Sequence, residues 1–384
     1  MPFEFASAGR IVFGEGAVRE VPPAAAAMGR RALVITGSRG ERAATLTAAL
    51  EAAGVSCVPF AVLGEPTVES MRDGARFARG EACDLAIAMG GGSALDAGKA
   101  LAALLTNTGD PLDYLEVVGR GQPLEHMPAP MIAVPTTAGT GSEVTRNAVL
   151  GSPEHRVKAS LRSVHMLPRL AAVDPELTWD LPPEITASTG IDALTQLIEP
   201  YVSTRANAMT DLYCVEGMRC AASALPRAYA GGANREARRD MAWASLLGGL
   251  SLANAGLGAV HGFAAPIGGM FPSPHGAVCA AVLPHAIAVN VRALRERAPE
   301  SAALRRYHEI GRILTGRPQA GADDAVEWIS EICRRLAIPP LRTYGVRPED
   351  FAVLVEKAAK ASSMKANPIV LTPAELTEVI MRAA

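Results

Sequence analysis

Asp192 and Gln196 stand four residues apart in the run Thr189-Gly190-Ile191-Asp192-Ala193-Leu194-Thr195-Gln196. On a helix that spacing puts both side chains on one face, one turn apart. Further on, His261 precedes a glycine in Ala259-Val260-His261-Gly262-Phe263, and His275 does the same in Pro272-Ser273-Pro274-His275-Gly276. Both histidines sit in apolar, Gly/Pro-punctuated surroundings where an unpaired imidazole is costly. One carboxylate and two imidazoles brought together suit a divalent metal, with open positions left for substrate. Ordinary hydrogen-bonded core histidines remain the competing explanation. His285, after Pro284 in an apolar run, reads as structural or as support for a ligand. His126, His155, His165 and His308 lie in polar segments and read as solvated.

Two further clusters are rich in glycine and hydroxyls. In Gly90-Gly91-Gly92-Ser93 the backbone can turn sharply and approach a ligand with no Cβ in the way. A helix pattern follows through Leu104, and its free N-terminal amides suit a pyrophosphate. The usual GxGxxG dinucleotide fingerprint is absent here. The second cluster, Pro135-Thr136-Thr137-Ala138-Gly139-Thr140-Gly141-Ser142-Glu143-Val144-Thr145, follows an apolar strand pattern at Met131–Val134. In open parallel sheets ligands sit beyond the carboxyl ends of strands, so Thr136, Thr137, Thr140 and Ser142 are candidates for a phosphate-and-ribose cradle. The alternative is a solvated Ser/Thr/Gly loop.

Elements of two kinds must carry these groups. Up to about residue 180, apolar strand patterns (Arg31–Thr36, Val55–Val62, Asp84–Met89, Met131–Val134) alternate with helical ones, which predicts a doubly wound α/β domain with a parallel sheet over 1–181. After Leu181-Pro182-Pro183-Glu184, Ala/Leu-rich helical patterns take over at 185–202, 208–225, 236–255, 278–297 and 322–336, which predicts an all-α domain over 182–384. The 384 residues are long enough for two domains, and 49% hydrophobic content is ample for both cores. A net charge of −2 excludes the basic footprint of a nucleic-acid or anionic-membrane binder. The apolar stretch Gly276–Val291 is too short to span a bilayer and reads as a buried helix. The N-terminal residues lack a signal-peptide pattern, and six cysteines without a CxxC pair fit reduced thiols, so a cytoplasmic protein is expected.

Taken together, these motifs resemble the iron-containing (group III) alcohol dehydrogenases over nearly the whole chain. Gly90-Gly91-Gly92-Ser93 with Asp96 and Lys99 is similar to that family's cofactor loop, and Pro135 to Thr145 to its longest signature. Lys158, Asp174-Pro175, Thr189-Gly190, Asp192-Ala193-Leu194-Thr195, Glu199, Val260-His261-Gly262, Pro274-His275-Gly276 and Leu283-Pro284-His285 follow in the family's order. The resemblance implies a Rossmann-like N-terminal domain, a helical C-terminal domain of the kind shared with dehydroquinate synthase, and a cleft between them for NAD or NADP. It implies hydride transfer to or from a small alcohol or aldehyde, and a homodimer. It also implies cofactor contacts from Gly37, Ser38, Gly91, Gly92, Ser93, Asp96, Thr136, Thr137, Thr140, Ser142 and Lys158, with Lys99 and Lys158 neutralising phosphates.

Departures from the family pattern are equally informative. The family holds Fe²⁺ or Zn²⁺ with one Asp and three His, and the first His falls on Gln196. Asp192, Gln196, His261 and His275 are therefore the expected ligands, with weakened, altered or lost metal binding. A second family histidine falls on Ala265. If metal is absent, His261 or His275 must donate the proton or hydrogen bond to the developing alkoxide, as in the related metal-independent maleylacetate reductases. A non-catalytic cofactor-binding relic is a further alternative. A lyase of the dehydroquinate synthase type is disfavoured, because few cations surround Asp192, His261 and His275. Gly37 stands where NAD-preferring members often carry an acid, and Arg39 lies nearby, so a 2′-phosphate is tolerated.

Overall fold

A computed structural model describes residues 2–384. The chain divides into two units. One comprises Ala6–Thr137 and Gly141–Thr178; the other comprises Trp179–Ala384, Ala138–Thr140 and the N-terminal residues through Phe5. The loop after Pro135 thus leaves the first unit for three residues and returns.

The first unit carries eight strands: β1 (Ile11–Phe13), β2 (Arg31–Thr36), β3 (Ser56–Ala61), β4 (Leu85–Gly90), β5 (Met131–Pro135), β6 (Asn147–Ser152), β7 (Val157–Arg162) and β8 (Leu170–Val173). Six form one parallel sheet in the order β1-β8-β5-β4-β2-β3, while β6 and β7 pair as an antiparallel hairpin. The helices are α1 (Val21–Met28), α2 (Ala44–Ala52), α3 (Val68–Gly80), α4 (Gly92–Thr106) and the single turn α5 (Pro111–Tyr114). The central strands are continuous apolar runs because both faces are covered. Leu33, Ile35, Ala86, Ala88 and Ala133 pack with Met71 of α3 and Leu95 and Leu101 of α4. The alternate residues Ala32, Val34, Leu85, Ile87 and Ile132 pack with Val21 and Ala25 of α1 and Leu46 and Leu50 of α2. At Gly98, α4 lies so close to β4 that a Cβ would stand 2.6 Å from that of Ala88.

Chain direction reverses between β2 and β4: β2 leads outward to β3, and β4 leads the other way to β5. Such a switch point leaves a crevice at the carboxyl ends of the strands. The expected parallel α/β architecture is present.

The second unit is helical among its described residues: α6 (Pro183–Val202), α7 (Ala208–Ala230), α8 (Arg235–Ala255), α9 (Ala259–Met270), α10 (His275–Arg297), α11 (Ala302–Thr315), α12 (Ala322–Arg335), α13 (Phe351–Lys360) and α14 (Pro373–Ala383). From Gly190 to Val202 every residue of α6 is buried. Helix α10 is long and apolar enough to cross a membrane, yet 83% of its most apolar window is buried in the fold, which makes it a core helix. It starts at His275, three residues before the pattern predicted, so His275 lies on a helical first turn rather than in a loop. His308, expected in solvent, is half-buried and its Nδ1 accepts from the Ala322 amide at the start of α12, 3.1 Å away.

Candidate metal centre and cofactor loops

Three helices of the second unit bring four donors together. Asp192 comes from α6, His261 from α9, and His275 and Cys279 from the first turns of α10. One ligand atom from each lies within 4.8 Å of all the others. His261 Nε2 is 3.5 Å and His275 Nε2 is 3.9 Å from Asp192 Oδ1. Two of the three residues are buried; the His275 side chain is 35% exposed and is the open side of the group. Sequence reasoning had singled out Asp192, His261 and His275, and the structure brings them together. It had not singled out Cys279, although Cys279 stands four residues after His275, the same helical spacing that linked Asp192 to Gln196.

Position and tautomer of His261 are set from behind. The first amides of α9 are held by side chains: Ala259 N–H donates to Asn367 Oδ1 at 3.1 Å, and Val260 N–H to Glu199 Oε1 at 2.7 Å. The other Glu199 oxygen lies 2.7 Å from His261 Nδ1. With Nδ1–H donating to that carboxylate, Nε2 is the ring nitrogen that faces Asp192, the arrangement that supports metal-bound imidazoles. Glu199 had appeared in the sequence only as part of an ordered pattern; its place two turns after Asp192 on α6 is the signal that could have revealed it. At the start of α10, Gly276 abuts α6 so closely that a Cβ would lie 2.7 Å from the Ser188 carbonyl oxygen, so only glycine allows His275 this near Asp192.

Electrostatics in the cluster favour positive charge. Burial pushes the Asp192 carboxyl up, but His275 and His261 outweigh it and the net shift is downward. Burial pushes His261 down, yet Cys279, Asp192 and Glu199 overcome it and hold the imidazole well above its ordinary range. His275 is likewise raised against burial, by Cys279 and Asp192. Two buried oxygens, Asp192 Oδ1 and Gln196 Oε1, have no hydrogen-bond partner and fall one turn apart on α6. Leaving such atoms unsatisfied costs about 1–3 kcal/mol each, more for a charged group. An orphaned carboxylate oxygen beside two imidazoles is the donor set a divalent cation requires, so Asp192, His261 and His275 fit a metal.

In the first unit, the carboxyl ends of adjacent strands gather the cofactor candidates. Thr36 of β2 is in register with Met89 of β4, and Gly90 with Pro135 of β5. Gly37 and Ser38, Gly91 to Ser93, and Thr136 and Thr137 therefore lie side by side, with Thr136 N–H donating to the Gly90 carbonyl at 2.9 Å. Gly91 precedes α4, whose N-terminus no side chain caps. A Cβ on Gly90 would lie 2.6 Å from that of Ala94, so the tight strand-to-helix turn needs glycine there. Gly37 has open space where a Cβ would point. Thr140 belongs instead with the helical unit, next to Gly139, whose Cβ would touch Thr189.

Other expected cofactor groups are engaged within the protein. Lys99 is completely buried: its Nζ donates to the Ser142 carbonyl (3.0 Å), Ser142 Oγ (2.7 Å) and Thr145 Oγ1 (2.8 Å) and lies 3.1 Å from Asp96 Oδ1. Asp96 also accepts from Ser142 Oγ at 2.5 Å and from Val149 N–H at 2.9 Å. The expectation that Lys99 neutralises cofactor phosphates is therefore corrected: its ammonium pins the hydroxyl-rich loop to α4, with Asp96 and Ser142 as fixed partners. Lys158, on β7, is 2.5 Å from Glu65.

The comparisons with known proteins agree with this geometry. The family description "Iron-containing alcohol dehydrogenase" matches residues 8–175, and "Fe-containing alcohol dehydrogenase family, C-terminal" matches residues 186–384. The chain is 37% identical over 349 residues to a 1,3-propanediol dehydrogenase of Klebsiella pneumoniae, covering 88% of each chain. It is 32% identical over 380 residues to an NAD-dependent methanol dehydrogenase of Bacillus methanolicus, covering 97% of each. The crystal structure of a 1,3-propanediol oxidoreductase superposes with a TM-score of 0.92 at 33% identity, covering both chains completely.

Proposed function

The chain belongs to the iron-containing alcohol dehydrogenases, oxidoreductases of alcohols and aldehydes, and from that premise we propose that it moves a hydride between C4 of a nicotinamide and the carbinol carbon of a small, weakly polar alcohol. The observation that carries this is the meeting of Asp192, His261 and His275 around an unsatisfied carboxylate oxygen. These three, with Gln196 as a weaker contact, would hold a divalent ion, which would supply Lewis-acid polarisation of the substrate oxygen. Glu199 keeps the His261 Nε2 lone pair turned inward. His275, the half-buried member, borders the substrate, and Ala265 is smaller than the imidazole of the family pattern.

Among the cofactor groups, the amides of Gly91, Gly92 and Ser93 at the uncapped start of α4 receive the pyrophosphate. Thr136 and Thr137 line the same crevice. Gly37 and Ser38 border the adenosine ribose, and the space above Gly37, with Arg39 two residues on, admits a 2′-phosphate as well as a hydroxyl. Both NADH and NADPH are accepted in this scheme.

A direct test follows NADH or NADPH consumption with a panel of short aldehydes, anaerobically, with Fe²⁺ or Zn²⁺ and after chelation. Metal-dependent turnover is expected, and Gln196→His should raise metal content. Turnover that survives complete metal removal would instead make His275 the proton donor of a metal-independent reductase. Absence of turnover with either cofactor would overturn the proposal.

A further inference from the structure

Cys279 is fully buried, one helical turn beyond His275 on α10. Its Sγ lies 3.6 Å from His275 Nε2 and 3.8 Å from His261 Nε2. His261 Nε2 lies 3.5 Å and His275 Nε2 3.9 Å from Asp192 Oδ1. Bonds of about 2.0–2.3 Å to a tetrahedral ion put neighbouring donors about 3.3–3.6 Å apart. The 3.5 and 3.6 Å separations fall within that range and the 3.8 and 3.9 Å ones lie just outside it, a difference that small side-chain shifts close. Gln196 provides only a neutral carbonyl oxygen at the position where a third imidazole is expected, and that oxygen is buried and unpartnered.

The geometry points to Cys279 as the fourth protein ligand of the metal: a thiolate from α10 replaces the imidazole absent from α6, giving an Asp192–His261–His275–Cys279 donor set. This inference rests on the metal-centre reading above. Binding displaces the thiol proton to solvent, so one Sγ–H bond breaks, one metal–Sγ bond forms, and no oxidation state changes. A donor set of one oxygen, two imidazole nitrogens and one thiolate is softer than one of carboxylate and three imidazoles. It therefore selects Zn²⁺, or Co²⁺ as its spectroscopic substitute, over Fe²⁺. The remaining cysteines take no part: among the described residues, Asp192, His261, His275 and Cys279 are the one such metal-ligating group.

The experiment is Co²⁺ titration of the full-length, metal-stripped protein, followed by absorption spectroscopy and by equilibrium dialysis. The expected result is stoichiometric binding with a near-ultraviolet thiolate-to-cobalt charge-transfer band. Cys279→Ser should abolish the band and weaken binding by about tenfold or more. In the Cys279→Ser background, Gln196→His should restore affinity without restoring the band. Melting of the metal-free variants alongside metal-free wild type confirms that each is folded; Cys279→Ala serves if the serine variant is not. Tight binding that Asp192→Asn abolishes but Cys279→Ser leaves unchanged, with no charge-transfer band, overturns the cysteine ligand and leaves the metal centre standing. No Co²⁺ binding by the wild type overturns both.

Discussion

Lys99 and Asp192 are each almost fully buried on a helix, one in the α/β unit and one in the helical unit. The ammonium of Lys99 has three N–H groups and finds three oxygen acceptors, with Asp96 beside it. The carboxylate of Asp192 has an oxygen with no hydrogen-bond partner, and Gln196, one turn on, has another. Both sites bury charge; only one is complete in the polypeptide alone. A satisfied buried network rigidifies a loop, whereas an unsatisfied one costs stability until something fills it. Incompleteness, more than burial or charge, distinguishes the Asp192 cluster, the site of chemistry we propose, from the Lys99 network.

Substitutions at the two sites should separate them. The largest effect is expected from Asp192→Asn, which should abolish metal binding and lower kcat/KM by about 10³-fold or more, since a Lewis-acid ion contributes several kcal/mol to the transition state. The metal-free variant should unfold at nearly the same urea concentration as metal-free wild type, because the substitution removes an unpartnered oxygen together with its attraction to the two imidazoles. Lys99→Met should do the reverse. It leaves the partly buried Asp96 without its cation and Ser142 and Thr145 without their donor, and should cost about 3 kcal/mol in urea unfolding, while the metal content of the folded fraction stays unchanged. Equal destabilisation by both substitutions would erase the contrast.

Glu143 sharpens the α/β side of the comparison. Burial pushes its carboxyl up to about 7, with its own backbone amide and Lys99 pulling the other way. A folded-state value above the ordinary 4.5 means the folded chain binds this proton more tightly. That contribution to stability is whole below about pH 4.5 and is lost as pH rises through 7. Glu143→Gln should therefore match wild type near pH 4.5 and exceed it at pH 8 by about 3 kcal/mol, read from urea midpoints across pH. The smallest effect is expected on the metal side. Glu199→Gln should retain the fold yet weaken metal affinity by about 10–100-fold, because the carboxylate that orients His261 is lost.

How far the sequence could be read follows from the same physics. The strand Arg31–Thr36 was legible to the residue, because a run apolar on both faces has one natural home, the middle of a parallel sheet. Asp192, His261 and His275 were legible because polar groups in apolar surroundings demand partners. Helix α9 was not: Gly262, Pro266, Gly268 and Gly269 argue against a helix locally, and long-range bonds from Glu199 and Asn367 hold its first turn instead. The hairpin of β6 and β7 was missed because its buried positions include small and polar residues (Ala148, Ser152, Ala159) and the positions between them are half-buried, which blurs the apolar alternation. Lys99 was misjudged because an interior lysine and a solvated one look identical in sequence; what distinguishes them is the ring of oxygens assembled by residues 142–145. Cys279 was overlooked because cysteine in an apolar helix is ordinary core filling.

The grip on the start of α9 sets an order of events for biosynthesis. Asn367, which holds the Ala259 amide, lies 108 positions after it. Asn367 is also bonded to Asn290, 77 positions before it. A ribosome that has delivered both histidines has still to deliver the residue that aligns one of them. Loading of the proposed ion should therefore come late, on a nearly finished chain, and nascent fragments ending short of residue 367 should be poor scavengers of cellular metal.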